Sequence, residues 1–187
     1  MEERLSWAIA AAELASEFIL PYYQSSELTI ETKADATPVT LADRGAEQLL
    51  RNELARHFPD DGILGEEFGT TPGTSGFQWI LDPIDGTKSF MHGTPLFGTL
   101  IGLLHQEQCV AGVCRFPALD EVVYARRGGG AWWGRSGQPP QQVHVRTTPS
   151  LDQSLFCFTS VNGWMSVDRL EEFTQLVQQT KLSRGWG

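Results

Sequence analysis

Three consecutive segments with the composition of β-strands occupy the middle of the chain and most constrain its fold. They are FGTLIGLL, CVAGVCRF and EVVYARRGGGAWW, and the short stretches HQEQ and PALD separate them. Strands joined by such short connections pair with their neighbours in antiparallel order. The glycines at 128 to 130 fit a strand turn, since the GxGxxG context of a nucleotide loop is absent. The sequence therefore predicts a β-meander here.

Two amphipathic helices are predicted before the meander. Apolar residues recur at three- and four-residue intervals from residue 3 to 20, and the pattern stops at Pro21. The second helix is expected to begin near Thr40, because Thr40 and Asp43 have the form of a capping box, and to continue to Phe58. Helices followed by an antiparallel sheet indicate an α+β arrangement.

The last part of the chain reads as a separate, incomplete unit. After the Pro- and Gln-rich break SGQPPQQ, the sequence predicts a strand at SLFCFTS and a helix over residues 166 to 180. Two elements make a poor domain, and the strand would be left with an unpaired edge. We therefore expect an N-terminal α+β domain at 1–140, followed at 141–187 by a linker and the start of a truncated α/β domain.

Composition excludes several classes of function. The formal net charge of −9 argues against a nucleic-acid partner, because phosphate backbones require a basic surface. No apolar run approaches the ~20 residues of a membrane span. The three cysteines lack the ligand spacing of a zinc site and are interpreted as reduced thiols. These features predict a cytoplasmic protein without a membrane or nucleic-acid partner.

The stretch WILDPIDGTKSF, residues 79 to 90, combines two carboxylates with a Gly-Thr step. Asp82 and Asp85 follow the short strand predicted at 79 to 81, and Pro83 bars regular pairing between them. Two carboxylates about 4 Å apart repel by roughly 4 kcal/mol at an effective dielectric near 20, and a shared divalent cation relieves this repulsion. Gly86 and Thr87 could open a helical turn that holds a phosphate. The alternative is an Asp-Pro turn in which Asp85 caps a helix.

Three motifs in the same order resemble the inositol monophosphatase family of Mg2+-dependent phosphatases. They are KADATPVTLADRGAE, GILGEEFG and WILDPIDGTKSF. DGTKSF followed by GTPLFGTLIGLL is most similar to the histidinol-phosphatase branch, whereas inositol phosphatases more often show DGTxNF. The resemblance implies a layered α/β sandwich of the inositol monophosphatase and fructose-1,6-bisphosphatase type, with N-terminal helices packed on an antiparallel sheet.

The resemblance also implies a site with two or three Mg2+ ions. Glu66 would be a metal ligand with a catalytic role, Asp82 would bridge two metals, Asp85 would hold the second, and Ile84 would lend its backbone carbonyl. Further metal ligation in this family comes from an aspartate after tryptophan in a second half, which the sequence lacks.

Thr87 and Asp43 would position the attacking water, and the amides of Gly86 and Thr87 would face the phosphate. For Asp43 a purely structural alternative exists, because an acidic first-turn residue stabilises a helix by about 0.3 to 1 kcal/mol.

Other polar residues near the motifs are ambiguous. Glu67 fits a solvated carboxylate better than a direct ligand, and Lys33 could lie near the metals or form a salt bridge in a loop. Lys88 could assist an anionic substrate or be solvated. His92 and His105 are predicted to be non-catalytic.

Three functions follow as hypotheses. The first is hydrolysis of histidinol phosphate, a small monoester whose ammonium group suits an acidic surface. The second is hydrolysis of inositol 1-phosphate or another small monoester. The third is a truncated half-protein that binds metal and phosphate without appreciable turnover. A homodimer is expected from the resemblance.

Overall fold

The computed structural model describes residues 1–25, 30–32 and 38–185. Contacts divide the chain into two compact units, Met1–His144 and Val145–Gly187. Whether the predicted segments 1–140 and 141–187 are folding domains stays a prediction. Within the described ranges, no helix combines the length and apolar character needed to cross a membrane.

The first unit contains three α-helices among its described residues: α1 at Glu2–Ile19, α2 at Leu41–His57 and the short α3 at Thr87–Met91. Its described strands are β1 Ile30–Thr32, β2 Pro38–Thr40, β3 Gly62–Gly65, β4 Gly69–Thr71, β5 Phe77–Asp85, β6 Gly98–His105, β7 Gln108–Phe116, β8 Glu121–Arg126, β9 Gly130–Arg135 and β10 Gln141–Val143. The two long helices and the meander strands confirm the α+β prediction. The short strands β1, β2, β4 and β10 were not predicted.

Eight of these strands form one mixed sheet in the order β10-β9-β8-β7-β6-β5-β3-β4. Only the β3–β5 pair is parallel among the paired strands of this sheet. The Pro- and Gln-rich break SGQPPQQ is shorter than expected, because β10 begins inside it and pairs with β9. Its polar composition is tolerated at the edge of a sheet, where one side of the strand needs no partner.

The core lies between one face of this sheet and the two long helices, which contact each other and strands β5, β6 and β7. Burying a large apolar side chain stabilises a fold by about 1.5 to 3 kcal/mol. Fully or nearly buried side chains from both layers meet here, among them Ala12, Ile19, Leu50, Leu54, Trp79, Leu81, Ile101 and Leu103.

The predicted capping box at the start of α2 is confirmed. The Thr40 amide donates to Asp43 Oδ2 over 2.7 Å, and the Asp43 amide donates to Thr40 Oγ1 over 3.4 Å. Both residues are buried, so the cap satisfies amides that water cannot reach.

The second unit contains β11 Leu155–Phe158, α4 Val161–Ser166, α5 Leu170–Gln179 and β12 Leu182–Gly185. The single helix predicted over 166 to 180 is wrong at its start, because the chain adopts a left-handed turn at Asp168, with φ of 55°. The strand predicted to be unpaired also has a partner, since β11 pairs in parallel with β12. Rings of Phe156, Trp164 and Phe173 pack together in this unit.

Candidate active site

The two aspartates of the central motif lie on one strand, on either side of a β-bulge. Strand β5 runs to Asp85, so the prediction that it ends at residue 81 is wrong. Asp82 pairs with Leu100 and Asp85 with Gly98, and the register shifts between them. Pro83 lies in the shift, and its carbonyl accepts a 2.8 Å hydrogen bond from Thr99 Oγ1. A bulge tolerates a proline, and this one separates the paired positions of Asp82 and Asp85 on the strand.

Glu66 is brought to Asp82 by the parallel pairing of β3 and β5. Gly65 is opposite Leu81, and the Glu66 amide donates to the Leu81 carbonyl over 3.1 Å. The residue after each paired position is then Glu66 on one strand and Asp82 on the other. The pairing therefore places the two carboxyl groups side by side, and a hydrogen bond with Glu66 contributes to the raised pKa of Asp82.

Burial and neighbouring negative charge raise the pKa of Asp82 to about 8. Burial is the largest cause, the charge of Glu66 and its hydrogen bond come next, and the charges of Asp85 and Asp43 add to them. Asp82 Oδ1 is buried and has no hydrogen-bond partner among the described residues. A buried acceptor without a partner is costly, so this cluster is arranged at the expense of stability.

The residues present fit a hard divalent cation. Within the described part of the chain, no three His, Cys, Asp or Glu side chains already form a ready-made metal-binding group. Carboxylate and carbonyl oxygens are nevertheless the donors that Mg2+ prefers. A cation beside Asp82 would give Oδ1 a partner and would offset the repulsion among the carboxylates. The ligand roles of Glu66, Asp82, Ile84 and Asp85 remain predictions.

Thr87 and Asp43 are brought together, as expected for a water-positioning pair. Thr87 Oγ1 lies 3.1 Å from the Ile84 carbonyl and 3.4 Å from Asp43 Oδ1. Burial raises the pKa of Asp43, against the effect of its hydrogen bonds from Thr40, and the charge of Glu66 adds to the rise. The side chain of Asp43 thus contacts both the helix cap residue Thr40 and the candidate site residue Thr87.

Gly86 gives the chain the turn that places Thr87 at the start of α3. Its φ of 88° is left-handed, and a Cβ there would lie 3.0 Å from the Leu96 carbonyl oxygen. A side chain at this position would therefore be strained by conformation and by contact. The predicted helical opening is confirmed, and the binding of phosphate by its amides stays a prediction.

The other polar residues named from the sequence have different surroundings. Lys88 is exposed, and its carbonyl lies 2.8 Å from His92 Nδ1. His105 stacks on Phe77 at the opposite end of β5 from Asp85. Lys33 lies outside the described residues. The Glu67 amide donates to Glu47 Oε2 over 2.7 Å.

Reasoning from the sequence missed Glu47 and Thr99. Glu47 is completely buried on α2, one turn after Asp43, and Thr99 supports the bulge. The available signal for Glu47 was its position on the apolar face of the predicted helix, four residues after Asp43.

Comparison with known proteins agrees with this geometry. Among solved structures, the extragenic suppressor protein suhB from Bartonella henselae has a TM-score of 0.85 and 30% identity, over 96% of this chain and 68% of that one. The fold is thus that of the inositol monophosphatase class, as predicted.

The family model of the inositol monophosphatase family matches residues 1–184, and the chain belongs to this family. A histidinol-phosphatase from Chlorobaculum parvum is 41% identical over all of this chain and 70% of its own length. A histidinol-phosphatase from Mycobacterium tuberculosis is 39% identical over 98% of this chain and 70% of its own length. Both relatives are phosphoric monoester hydrolases by name.

Proposed function

We propose that the chain is a Mg2+-dependent phosphate monoester hydrolase that acts on histidinol phosphate. The observation that carries the proposal is the buried, unpartnered Oδ1 of Asp82 within the cluster of Glu66, Asp85 and Asp43. A structural carboxylate would be satisfied by donors, whereas this one is surrounded by other acids. The similarity to two histidinol-phosphatases supports the substrate.

The metal site would consist of Glu66, Asp82, Asp85 and the Ile84 carbonyl. Bound divalent cations would supply an acidified water and neutralise charge on the phosphate oxygens. The carbonyl of Ile84 accepts from Thr87, and its second lone pair is available for a further interaction. The number of ions, two or three, is part of the proposal.

Thr87 and Asp43 would orient the attacking water. A hydroxyl has one proton and two lone pairs, so Thr87 donates either to the Ile84 carbonyl or to Asp43. A cation on the Ile84 carbonyl would favour donation to Asp43, and Thr87 would still accept a hydrogen bond from water. Asp43 Oδ2 is held by the amide and the hydroxyl of Thr40, at 2.7 and 2.5 Å. Those bonds leave Oδ1 directed to Thr87, so the helix cap fixes the orientation of the catalytic pair.

The substrate is argued from charge and from the relatives. With a net charge of −9, the protein provides an attractive field for a cationic group, and histidinol phosphate has an ammonium group beside its phosphate. Inositol 1-phosphate lacks such a group and is the alternative substrate. The third hypothesis, binding without appreciable turnover, stays open. The homodimer and the cytoplasmic location stay predictions.

Phosphate release by the 187-residue chain tests the proposal. We expect release from histidinol phosphate that depends on Mg2+, is abolished by EDTA and exceeds release from inositol 1-phosphate at equal concentration. A preference for inositol 1-phosphate would overturn the substrate. No release from any monoester, together with Mg2+ binding in a calorimetric titration, would favour the half-protein hypothesis instead.

A further inference from the structure

We infer that Glu47 is a positioning residue that holds the acidic turn after β3 in place for cation binding. The inference rests on the proposed function, because it concerns the same cluster of carboxylates. It assigns a role to a residue outside the predicted ligand set, on the helix that also carries Asp43.

Glu47 accepts hydrogen bonds from the turn that follows β3. Its Oε2 accepts from the Glu67 amide at 2.7 Å, and its Oε1 accepts from the Phe68 amide at 3.2 Å. The side chain is completely inaccessible to solvent. An ionised carboxylate in such a place must be paired and hydrogen-bonded to be tolerated, and these amides meet part of that requirement.

Arg51 supplies the charge opposite to that of Glu47 and also donates hydrogen bonds to residues of β4. Its Nε donates to Glu47 Oε1 over 2.8 Å, its Nη1 donates to Thr71 Oγ1 over 2.9 Å, and its Nη2 donates to the Gly69 carbonyl. The planar fork of the guanidinium serves these acceptors at once. The Glu47–Arg51 pair therefore binds the amides at one end of the turn and acceptors at the other.

Glu66 is thereby fixed from two directions. Its own amide is held by the Leu81 carbonyl on β5, and the next two amides are held by Glu47 on α2. The neighbouring Gly65 makes room for this contact, since a Cβ there would lie 1.9 Å from Glu47 Oε1. A side chain at position 65 would therefore displace the Glu47 carboxylate from this position.

The same helix links both parts of the site. Asp43 contacts Thr87, and Glu47, one helical turn later, contacts the turn that carries Glu66. Four residues of α-helix span about 6 Å, and this rise is rigid. Helix α2 thus sets the separation between the water-positioning pair and the first metal ligand. A displaced ligand weakens metal binding, and partners of ligands typically contribute about 10- to 100-fold in metal affinity.

The test compares two buried, arginine-paired carboxylates. Glu47→Gln keeps the size of the side chain but removes its charge and one of its acceptors. Asp61→Asn is the matched control, because Asp61 is paired with Arg4 and lies at the other end of β3. Mg2+ affinity is measured by calorimetric titration, which does not require turnover, and folding is measured by thermal unfolding without metal.

We expect Glu47→Gln to weaken Mg2+ binding about 10- to 100-fold, whereas Asp61→Asn lowers the melting temperature at least as much and binds Mg2+ like the wild type. Equal Mg2+ affinity in Glu47→Gln and the wild type would overturn the inference alone. A wild-type chain that binds no Mg2+ would overturn the proposed function as well. If Glu47→Gln does not fold, Arg51→Lys is measured in its place. An Arg51→Lys variant with the Mg2+ affinity of the wild type would then refute the inference.

Discussion

Two aspartates at opposite ends of the β3–β5 pair show how differently the fold treats a carboxylate. Asp61 accepts from Arg4 Nε at 2.9 Å, Arg4 Nη2 at 3.0 Å, Ser75 Oγ at 2.6 Å and Trp79 Nε1 at 3.0 Å. Asp82 has one oxygen without a partner among the described residues, and its neighbours are acids. One end of the strands thus satisfies its carboxylate within the fold, whereas the other leaves a carboxylate oxygen without a partner among the described residues.

The pKa values of the two groups move in opposite directions. Burial alone would raise the pKa of Asp61, but hydrogen bonds from Arg4, Ser75 and Trp79 outweigh it, and the pKa is lowered. For Asp82, burial and like charges act together, and the pKa rises to about 8. A satisfied carboxylate stabilises the folded state when ionised, whereas an unsatisfied one stabilises it only when protonated or bound to a cation.

The largest expected effect is the loss of activity on neutralising Asp82. Asp82→Asn removes the proposed bridging ligand, and metal ions supply several kcal/mol of transition-state stabilisation. We expect Mg2+-dependent phosphate release to fall on the order of 10³-fold. Steady-state rates at saturating Mg2+ measure this, with Asp61→Asn, assayed well below its melting temperature, as the control that keeps near-normal activity. Comparable loss in both variants would erase the distinction between the two ends.

Asp61→Asn is expected to show the largest loss of stability. Removing one partner of a buried ion pair costs about 3 to 5 kcal/mol. The variant also keeps only one of the two oxygens that accept from Arg4, Ser75 and Trp79. Because the folded pKa is lowered, the stabilising effect is fully present above the unfolded pKa of about 3.9 and is lost as pH falls through the folded value. Urea unfolding should show a large deficit at pH 7 that narrows toward pH 3. A deficit independent of pH would contradict the ionic contribution.

Substitutions of Thr87 test the proposed function of the Asp82 end of the strands. Thr87→Val keeps the shape of the side chain but removes the hydroxyl between Asp43 and Ile84, so kcat should fall about 10²-fold or more. Thr87→Ser keeps the hydroxyl and should retain most of the activity. Melting temperatures of the two variants should be similar, because Thr87 is only partly buried. A valine variant with the serine variant's kcat would exclude Thr87 from the mechanism.

Candidate site residues could be proposed from the sequence because four of them lie within one six-residue stretch, whereas the residues that support them could not. Residues 82 to 87 supply two carboxylates, a carbonyl and a hydroxyl in one stretch, and the Thr40–Asp43 capping box has a local pattern. Glu47 has a weaker signal, its place on the apolar face of the helix, because an acidic residue on a helix is usually solvated and the partners of Glu47 lie about 20 residues away.

The long strands of the fold were predicted, and the short ones were missed, according to their length and composition. The long apolar strands of the meander are recognisable from their composition. Strands that are neighbours in sequence are also neighbours in the sheet. Strands such as β10 and β12 have three or four residues and polar composition, so only their pairing defines them. The extension of β5 through Pro83 depends on Thr99, 16 residues later, and could not be inferred from the strand itself.

The smallest expected effect is a gain in stability in the metal-free protein. Asp82→Asn should raise stability by about 1 to 2 kcal/mol above pH 8, because the native carboxylate is ionised there at a cost that an amide avoids. As pH falls from 8 toward 4, the native state binds a proton that the unfolded state does not, so the wild type gains stability and the advantage of the variant shrinks. Melting temperatures of both proteins in EDTA at pH 9 and pH 5 measure the advantage of the variant and its decrease with pH. Added Mg2+ should stabilise the wild type but not the variant. An Asn variant less stable than the wild type at pH 9 would show that Asp82 is satisfied in the metal-free fold, and the contrast with Asp61 would then be lost.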